Sequence, residues 1–223
     1  MNTEQTDFSR QGSENLNKIK AVFLDFGGVL YDIDHSLTLN SLKRLSVTPE
    51  KLDGLSINGL NLDILKKYEK GEITSSEFRE KMREMFGLIA SDDEFDSAWC
   101  ATLKGPYPEA ARIVREFGAV KDIFLISNTN EIHFSRFYPQ VKDMFAEFNK
   151  LFISFKLGMH KPDPEIYLHS CREAGYEPSE SIFADDSADN IICARQIGMA
   201  GIHINERGKL SDLLHTVKKP AQQ

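Results

Sequence analysis

Residues 21–30 read Ala21-Val22-Phe23-Leu24-Asp25-Phe26-Gly27-Gly28-Val29-Leu30. Four apolar residues run without alternation into one acid. A continuous apolar run this short predicts a strand covered on both faces, as in a parallel sheet. A charge is costly to bury, so Asp25 belongs at the strand's end. Gly27 and Gly28 then let the backbone turn sharply and approach a ligand closely. Alone, the stretch also fits a strand end with an ordinary polar turn.

Moving outward, residues 1–17 are polar, with one isolated Phe8, and predict a flexible tail. Residues 36–104 predict helices only. Leu37, Leu39, Leu42 and Leu45 form a loose apolar face, and Thr48-Pro49-Glu50 reads as a helix start. Thr74 with Glu77, and Ser91 with Glu94, have capping-box spacing, each before apolar positions three or four apart. This region predicts a small helical bundle, and Pro106 and Pro108 mark the return to the main domain. Beyond them helices and short apolar strands alternate. Ala110–Phe117 predicts a helix, and Ile123–Ile126 a strand ending at Ser127-Asn128. A helix carrying Phe134, Phe137, Val141 and Phe145 follows, then the apolar run Leu151–Phe155 and a helix from Pro164 to Gly175. Ser181–Ala184 predicts a strand ending at Asp185-Asp186, followed by a helix over Ile191–Ile197, a strand over Gly201–Ile204 and a helix over Leu210–Val217. Alternating strands and helices predict an α/β fold with a parallel sheet.

Composition narrows the function classes. At 223 residues, with 41% apolar residues, the chain can hold one large domain, or a core with a smaller insert. A net charge of −7 argues against a nucleic-acid or membrane-surface partner. No apolar run approaches the ~18 residues of a membrane span. No basic start and apolar signal core is present at the N-terminus. Cys100, Cys171 and Cys193 lack metal-like or redox spacing, which predicts reduced, buried thiols and a cytoplasmic location.

In parallel sheets ligands bind beyond the C-terminal strand ends. Three predicted strands end there in polar residues: Asp25, Ser127-Asn128 and Asp185-Asp186. Lys161 lies in a loop within reach of the same edge. Each piece has an ordinary structural role: Ser127 as a helix cap, Asp185-Asp186 as a turn, His160-Lys161-Pro162-Asp163-Pro164 as a rigid loop. Their joint order carries the signal. Three carboxylates on one edge need a counter-charge, and an all-oxygen set suits Mg²⁺. Carboxylate, cation, lysine and hydroxyl together are the parts of phosphoryl transfer.

These segments resemble the haloacid-dehalogenase-like hydrolase superfamily over residues 19 to about 217. The matches are Asp25-Phe26-Gly27-Gly28-Val29-Leu30, Leu125-Ile126-Ser127-Asn128, Lys161-Pro162-Asp163-Pro164-Glu165-Ile166 and Phe183-Ala184-Asp185-Asp186-Ser187 with Asn190. Gly71-Glu72-Ile73, Ser127-Asn128-Thr129-Asn130 and Asp32-Ile33-Asp34 are similar to the bacterial branch that includes an α-glucose-1-phosphate phosphatase. The resemblance implies a Rossmann-like core over residues 18–33 and 106–223, with a small α-helical cap over 34–105 that closes over Asp25 and selects the substrate. It implies that Asp25 is the nucleophile and forms an aspartyl-phosphate, that Ser127 and Asn128 bind phosphate, and that Lys161 holds both phosphate and Asp25. Asp25, the Gly27 carbonyl, Asp186 and Asp185 would hold Mg²⁺. The partner would be a small phosphorylated metabolite, and monomer and homodimer both remain open.

One position departs from the family. Most phosphatases of the superfamily carry a second Asp two residues after the nucleophile, which protonates the leaving oxygen and then activates water. Here that residue is Gly27. General acid–base help is worth ~10²–10⁴-fold in rate, so slow turnover or an easily departing leaving group, such as an anomeric phosphate ester, is expected. Asp32, Asp34 and His133 are the nearby candidates for a substitute, against plainer roles as hinge, cap or surface residues. Trp99, Tyr68 and Tyr107 either face the cleft or pack. Two other functions fit the pattern: a dehalogenase, which needs no metal and leaves Asp185-Asp186 unexplained, and a phosphate-binding regulatory protein without turnover.

Overall fold

The computed structural model describes residues 18–55, 63–206 and 208–218. The expected tail over 1–17 lies outside the described residues. In chain order the elements are β1 (Ala21–Leu24), β2 (Tyr31–Ile33), α1 (His35–Leu45), α2 (Asp63–Glu69), α3 (Ser75–Phe86), α4 (Asp92–Trp99), β3 (Leu103–Pro106) and α5 (Ala110–Gly118). Then come β4 (Asp122–Ser127), α6 (Glu131–Phe145), β5 (Lys150–Ile153), α7 (Ser154–Leu157) and α8 (Pro164–Ala174). The chain closes with β6 (Ser181–Asp185), α9 (Ala188–Gln196), β7 (Ala200–His203) and α10 (Lys209–Lys218).

Five strands form a parallel sheet in the order β5-β4-β1-β6-β7. The run Ala21–Leu24 is its centre, and all four residues are buried. Successive side chains of a strand point to opposite faces, and here each face is covered. Val22 and Leu24 pack with Ile113, Phe117, Phe137, Val141 and Leu213 from α5, α6 and α10. Ala21 and Phe23 pack with Ile166, Cys171, Ile191 and Ala194 from α8 and α9. The chain leaves β1 towards β4 and β5, then returns to β6 and β7 on the other side. β1 is therefore where the strand order reverses, and the crevice beyond its C-terminal end is the favoured ligand position in such sheets.

A second apolar cluster gathers Leu39, Leu42, Tyr68, Phe78, Met82, Phe86, Phe95 and Trp99 from α1 to α4 and rests on Ile132 at the start of α6. Both anticipated capping boxes are formed, Thr74 with Glu77 on α3 and Ser91 with Glu94 on α4.

Three local expectations are corrected. The Thr48-Pro49 start opens only one 3₁₀ turn, Pro49–Leu52, and Thr48 makes no side-chain cap. Residues 36–104 are not purely helical: Leu103–Pro106 forms a strand antiparallel to Tyr31–Ile33. The two segments are only three and four residues long, too short to read as strands, and a separate two-stranded ribbon tolerates Gly105 and Pro106. His133, offered as a surface residue, stacks on Trp99 with ring centroids 5.4 Å apart. No helix among the described residues is long and apolar enough to cross a membrane. The three cysteines are buried and free.

Candidate active site

Asp25 directly follows the central strand, and its backbone N–H still bonds the Ala184 carbonyl of the neighbouring β6 at 2.9 Å. The residue is 7% exposed. Burial pushes its carboxyl up to about 7; the Lys161 ammonium opposes this, and the Asp185 and Asp186 charges reinforce it. Lys161 Nζ donates to Asp25 Oδ1 and to Asp185 Oδ2, each at 2.6 Å. Burial alone would lower the Lys161 pKa, but the two carboxylates prevail and raise it.

Asp185 ends β6 and is fully enclosed. Its Oδ2 also accepts Asn190 Nδ2 at 2.9 Å, and its Oδ1 accepts the Ser187 N–H at 2.7 Å. Both oxygens are thus engaged by the protein, and Asp185 orients Lys161. Asp186 is exposed, and carboxylate oxygens of Asp25, Asp185 and Asp186 lie within 4.8 Å of one another. At that separation each like-charge pair repels by ~3 kcal/mol at an effective dielectric near 20. One lysine cannot balance three carboxylates.

The residues fit a hard divalent cation. The short bridge between Gly27 and Tyr31 uses the Phe26 carbonyl and the Gly28 N–H. Among the described residues no backbone N–H takes the Gly27 carbonyl. Gly28 sits at φ +77°, and a Cβ there would lie 2.2 Å from Asp186 Oδ2. The bare Gly28 backbone thus lets Asp186 close against the turn that carries Asp25. The donors offered are all oxygens, the preference of Mg²⁺.

Ser127 ends β4 beside β1 and is 3% exposed. Asn128 brackets the backbone of Lys161: its Oδ1 accepts the Lys161 N–H and its Nδ2 donates to the Lys161 carbonyl, both at 2.9 Å. Its amide therefore sets where Lys161 points. His160, missed in the sequence, contacts Asn128 on one side and Glu69 on the other. Only its adjacency to Lys161 could have flagged it.

The candidate substitutes for a second acid are all committed elsewhere. Asp32 pairs with Lys104 at 2.8 Å. Asp34 caps α1, and its bonds from Ser36 hold its carboxyl below the usual range. His133 bonds the Trp99 carbonyl through Nε2 at 3.1 Å, and burial pushes it down to about 4. Trp99 and Tyr68 are packing residues. Tyr107 lines a cavity of about 480 Å³ that opens beside Asp186, with Val29, Ile33, Ile204 and Asn205 in its walls.

Ile33 also explains the space at Gly27. A Cβ on Gly27 would lie 3.2 Å from Ile33 Cδ1, so isoleucine fills the room that a side chain there would enter.

Comparison with known proteins agrees with this arrangement. A family model described as haloacid dehalogenase-like hydrolase matches residues 19–198. The D-ribitol-5-phosphate phosphatase of Bacteroides thetaiotaomicron is 27% identical over 187 residues, 81% of this chain and 89% of the relative. The sesquiterpene phosphatase of Aspergillus oryzae is 26% identical over 191 residues, 84% of this chain and 90% of the relative. A HAD family enzyme from Bacteroides thetaiotaomicron, solved with magnesium and inorganic phosphate, superposes with a TM-score of 0.71 at 31% identity, covering 83% of this chain and 93% of that one.

Proposed function

The chain belongs to the haloacid dehalogenase-like hydrolase family, and from that premise we propose that it is a Mg²⁺-dependent phosphatase of a small phosphorylated metabolite, such as a sugar phosphate. The observation that carries this reading is the triple contact of Lys161, Asp25 and Asp185 at 2.6 Å beside the exposed Asp186. Relatives named as phosphatases of D-ribitol 5-phosphate and of sesquiterpenes support the reaction type and the small organic substrate.

Asp25 supplies the attacking carboxylate oxygen. Its bond to phosphorus forms as the ester oxygen leaves, and water then cleaves the aspartyl-phosphate. Lys161 holds Asp25 in place and carries positive charge towards the phosphoryl oxygens. Ser127 offers a hydroxyl to the same group, and Asn128 keeps Lys161 aimed. Asp186, Asp25 and the Gly27 carbonyl would hold the cation, with Asp185 behind them. When bound, Mg²⁺ neutralises charge on the transferring group and on Asp25. The helical layer over residues 34–105 acts as the cap that selects the substrate.

Because Gly27 carries no acid and Asp32, Asp34 and His133 are bonded elsewhere, acid–base help is weak. Substrates whose leaving oxygen needs little protonation are favoured. Gly27 also supports a second reading, a phosphate-binding regulator without turnover. A screen of phosphorylated metabolites with Mg²⁺, against Asp25→Asn and against chelator, tests both. Turnover lost in the variant and with chelator is expected. Binding of Mg²⁺ and phosphate with no turnover above Asp25→Asn would establish the second reading instead.

A further inference from the structure

Glu69 ends α2 and His160 precedes Lys161, and a chain of contacts runs through them to the nucleophile. Glu69 Oε2 lies 2.8 Å from His160 Nε2, and His160 Nδ1 lies 3.2 Å from Asn128 Nδ2. Asn128 brackets the Lys161 backbone, and Lys161 Nζ reaches Asp25. The proton positions follow. Asn128 Oδ1 accepts the Lys161 N–H, so its other end, Nδ2, is the donor. His160 Nδ1 must then accept, which leaves its proton on Nε2, donated to Glu69. Both His160 nitrogens are thereby fixed, and the two side chains are only 15% and 22% exposed.

The end of α2 is docked at the same place. Lys66 Nζ lies 3.6 Å from Asp163 Oδ2. Gly71, two residues beyond Glu69, packs so tightly that a Cβ there would lie 2.3 Å from the Phe155 carbonyl. Neither Glu69 nor His160 touches Asp25.

We propose that Glu69 and His160 are positioning residues that couple the docking of α2 to the placement of Lys161 against Asp25. The inference rests on the phosphatase reading for its kinetic consequence, but not for its structural one. When α2 is docked, Glu69 holds His160, His160 holds the Asn128 amide, and Asn128 holds the Lys161 backbone. When α2 lifts, the outer end of the chain loses its anchor, and Lys161 is free to drift from the nucleophile. A shift of this kind far from the reacting atoms lowers the rate of the chemical step more than it weakens substrate binding.

The test uses the full chain and the variants Glu69→Ala, Glu69→Gln, His160→Ala and the double alanine variant. 4-Nitrophenyl phosphate with Mg²⁺ is the kinetic probe, and amide exchange of residues 159–161 is read without substrate. Glu69→Ala and His160→Ala are expected to lower kcat by ~10–100-fold, the range typical of supporting residues, with KM changed less than about threefold. The double variant should equal the single ones, since the pair acts as a unit. Glu69→Gln keeps an acceptor for the Nε2 proton and should restore most of kcat. The Lys161 amide should exchange on the order of tenfold faster in Glu69→Ala, while far-ultraviolet dichroism and Tm stay near wild type. Unchanged kcat with unchanged exchange overturns the coupling, and so does additivity of the two alanine variants. If wild-type turnover does not exceed Asp25→Asn, the phosphatase reading fails by itself. The exchange measurement then decides the coupling alone: faster exchange supports it and equal exchange refutes it.

Discussion

Gly27 can be given back a carboxylate, and the structure sets the cost. The Gly27 backbone lies outside the left-handed region, so its conformation permits a side chain. The obstacle is Ile33, whose Cδ1 would lie 3.2 Å from a new Cβ, with Cγ2 next at 3.8 Å. Ile33→Val removes the first contact and leaves the second at ordinary van der Waals distance. Trimming this half-buried isoleucine costs about 0.5–1.5 kcal/mol, whereas Gly27→Asp alone also has to displace Cδ1, an overpacking that costs up to about 3 kcal/mol. The double variant Gly27→Asp/Ile33→Val should therefore fold. A positioned acid is worth ~10²–10⁴-fold where the leaving oxygen needs a proton. For a simple alkyl phosphate, kcat/KM is expected to rise at least about tenfold in the double variant. For 4-nitrophenyl phosphate, whose leaving group departs as the anion, the change should stay within about threefold. The assay is kcat/KM over a series of alkyl and aryl phosphates, which on the proposed mechanism reports the steps through phosphorylation of Asp25 whatever limits kcat. A plot against leaving-group pKa should flatten in the double variant. Equal gains at both ends of the series, or no gain with alkyl substrates in a folded variant, would refute the idea that Gly27 withholds an acid.

Asp25 and His133 titrate with opposite signs over the same window in metal-free protein. The folded Asp25 holds its proton up to about 7 against an ordinary 3.8, so the stability tied to it is lost as pH rises from about 4 to about 7. The folded His133 stays neutral down to about 4 against an ordinary 6.5, so its stability is present above 6.5 and lost as pH falls. With chelator present, urea melts between pH 4.5 and 6.5 should show stability falling more steeply with pH in His133→Gln than in wild type, and rising more steeply with pH in Asp25→Asn; matching slopes in all three would sink the assignment. Gly28→Ala should weaken Mg²⁺ at least about tenfold by calorimetric titration, since Asp186 Oδ2 occupies the place of the new methyl and φ +77° is strained for alanine; an unchanged affinity would mean that Asp186 is not a ligand.

Asp25, Lys161 and Asp185-Asp186 were legible because each is a charged group set where an apolar strand stops or just before a helix. A buried run followed by a charge has few places to sit in a sheet. What those groups bond to was not legible. Asn128 reads as a polar residue after a strand, and only folding brings it across to the backbone of Lys161, 33 residues away. His133 has a helical surface pattern around it, yet the seat of α1 to α4 on α6 covers it, a contact between distant segments that local periodicity does not encode. The ribbon of Tyr31–Ile33 with Leu103–Pro106 escaped for the same reason, since its pairing spans the whole helical insert.

The site's charge count explains why these residues need one another. Asp25, Asp185 and Asp186 bring three negative charges against the single ammonium of Lys161, and a deficit of two remains. Burial, reinforced by the two neighbouring acids, pushes the Asp25 carboxyl up to about 7. A divalent cation would offset the same deficit. Lys161 alone could not do so, because Asp185 shares its ammonium at the same 2.6 Å distance. On the proposed Mg²⁺-dependent reading, cation binding would favour the ionised Asp25 carboxylate, and Asp186, the most exposed of the three acids, would meet the cation first.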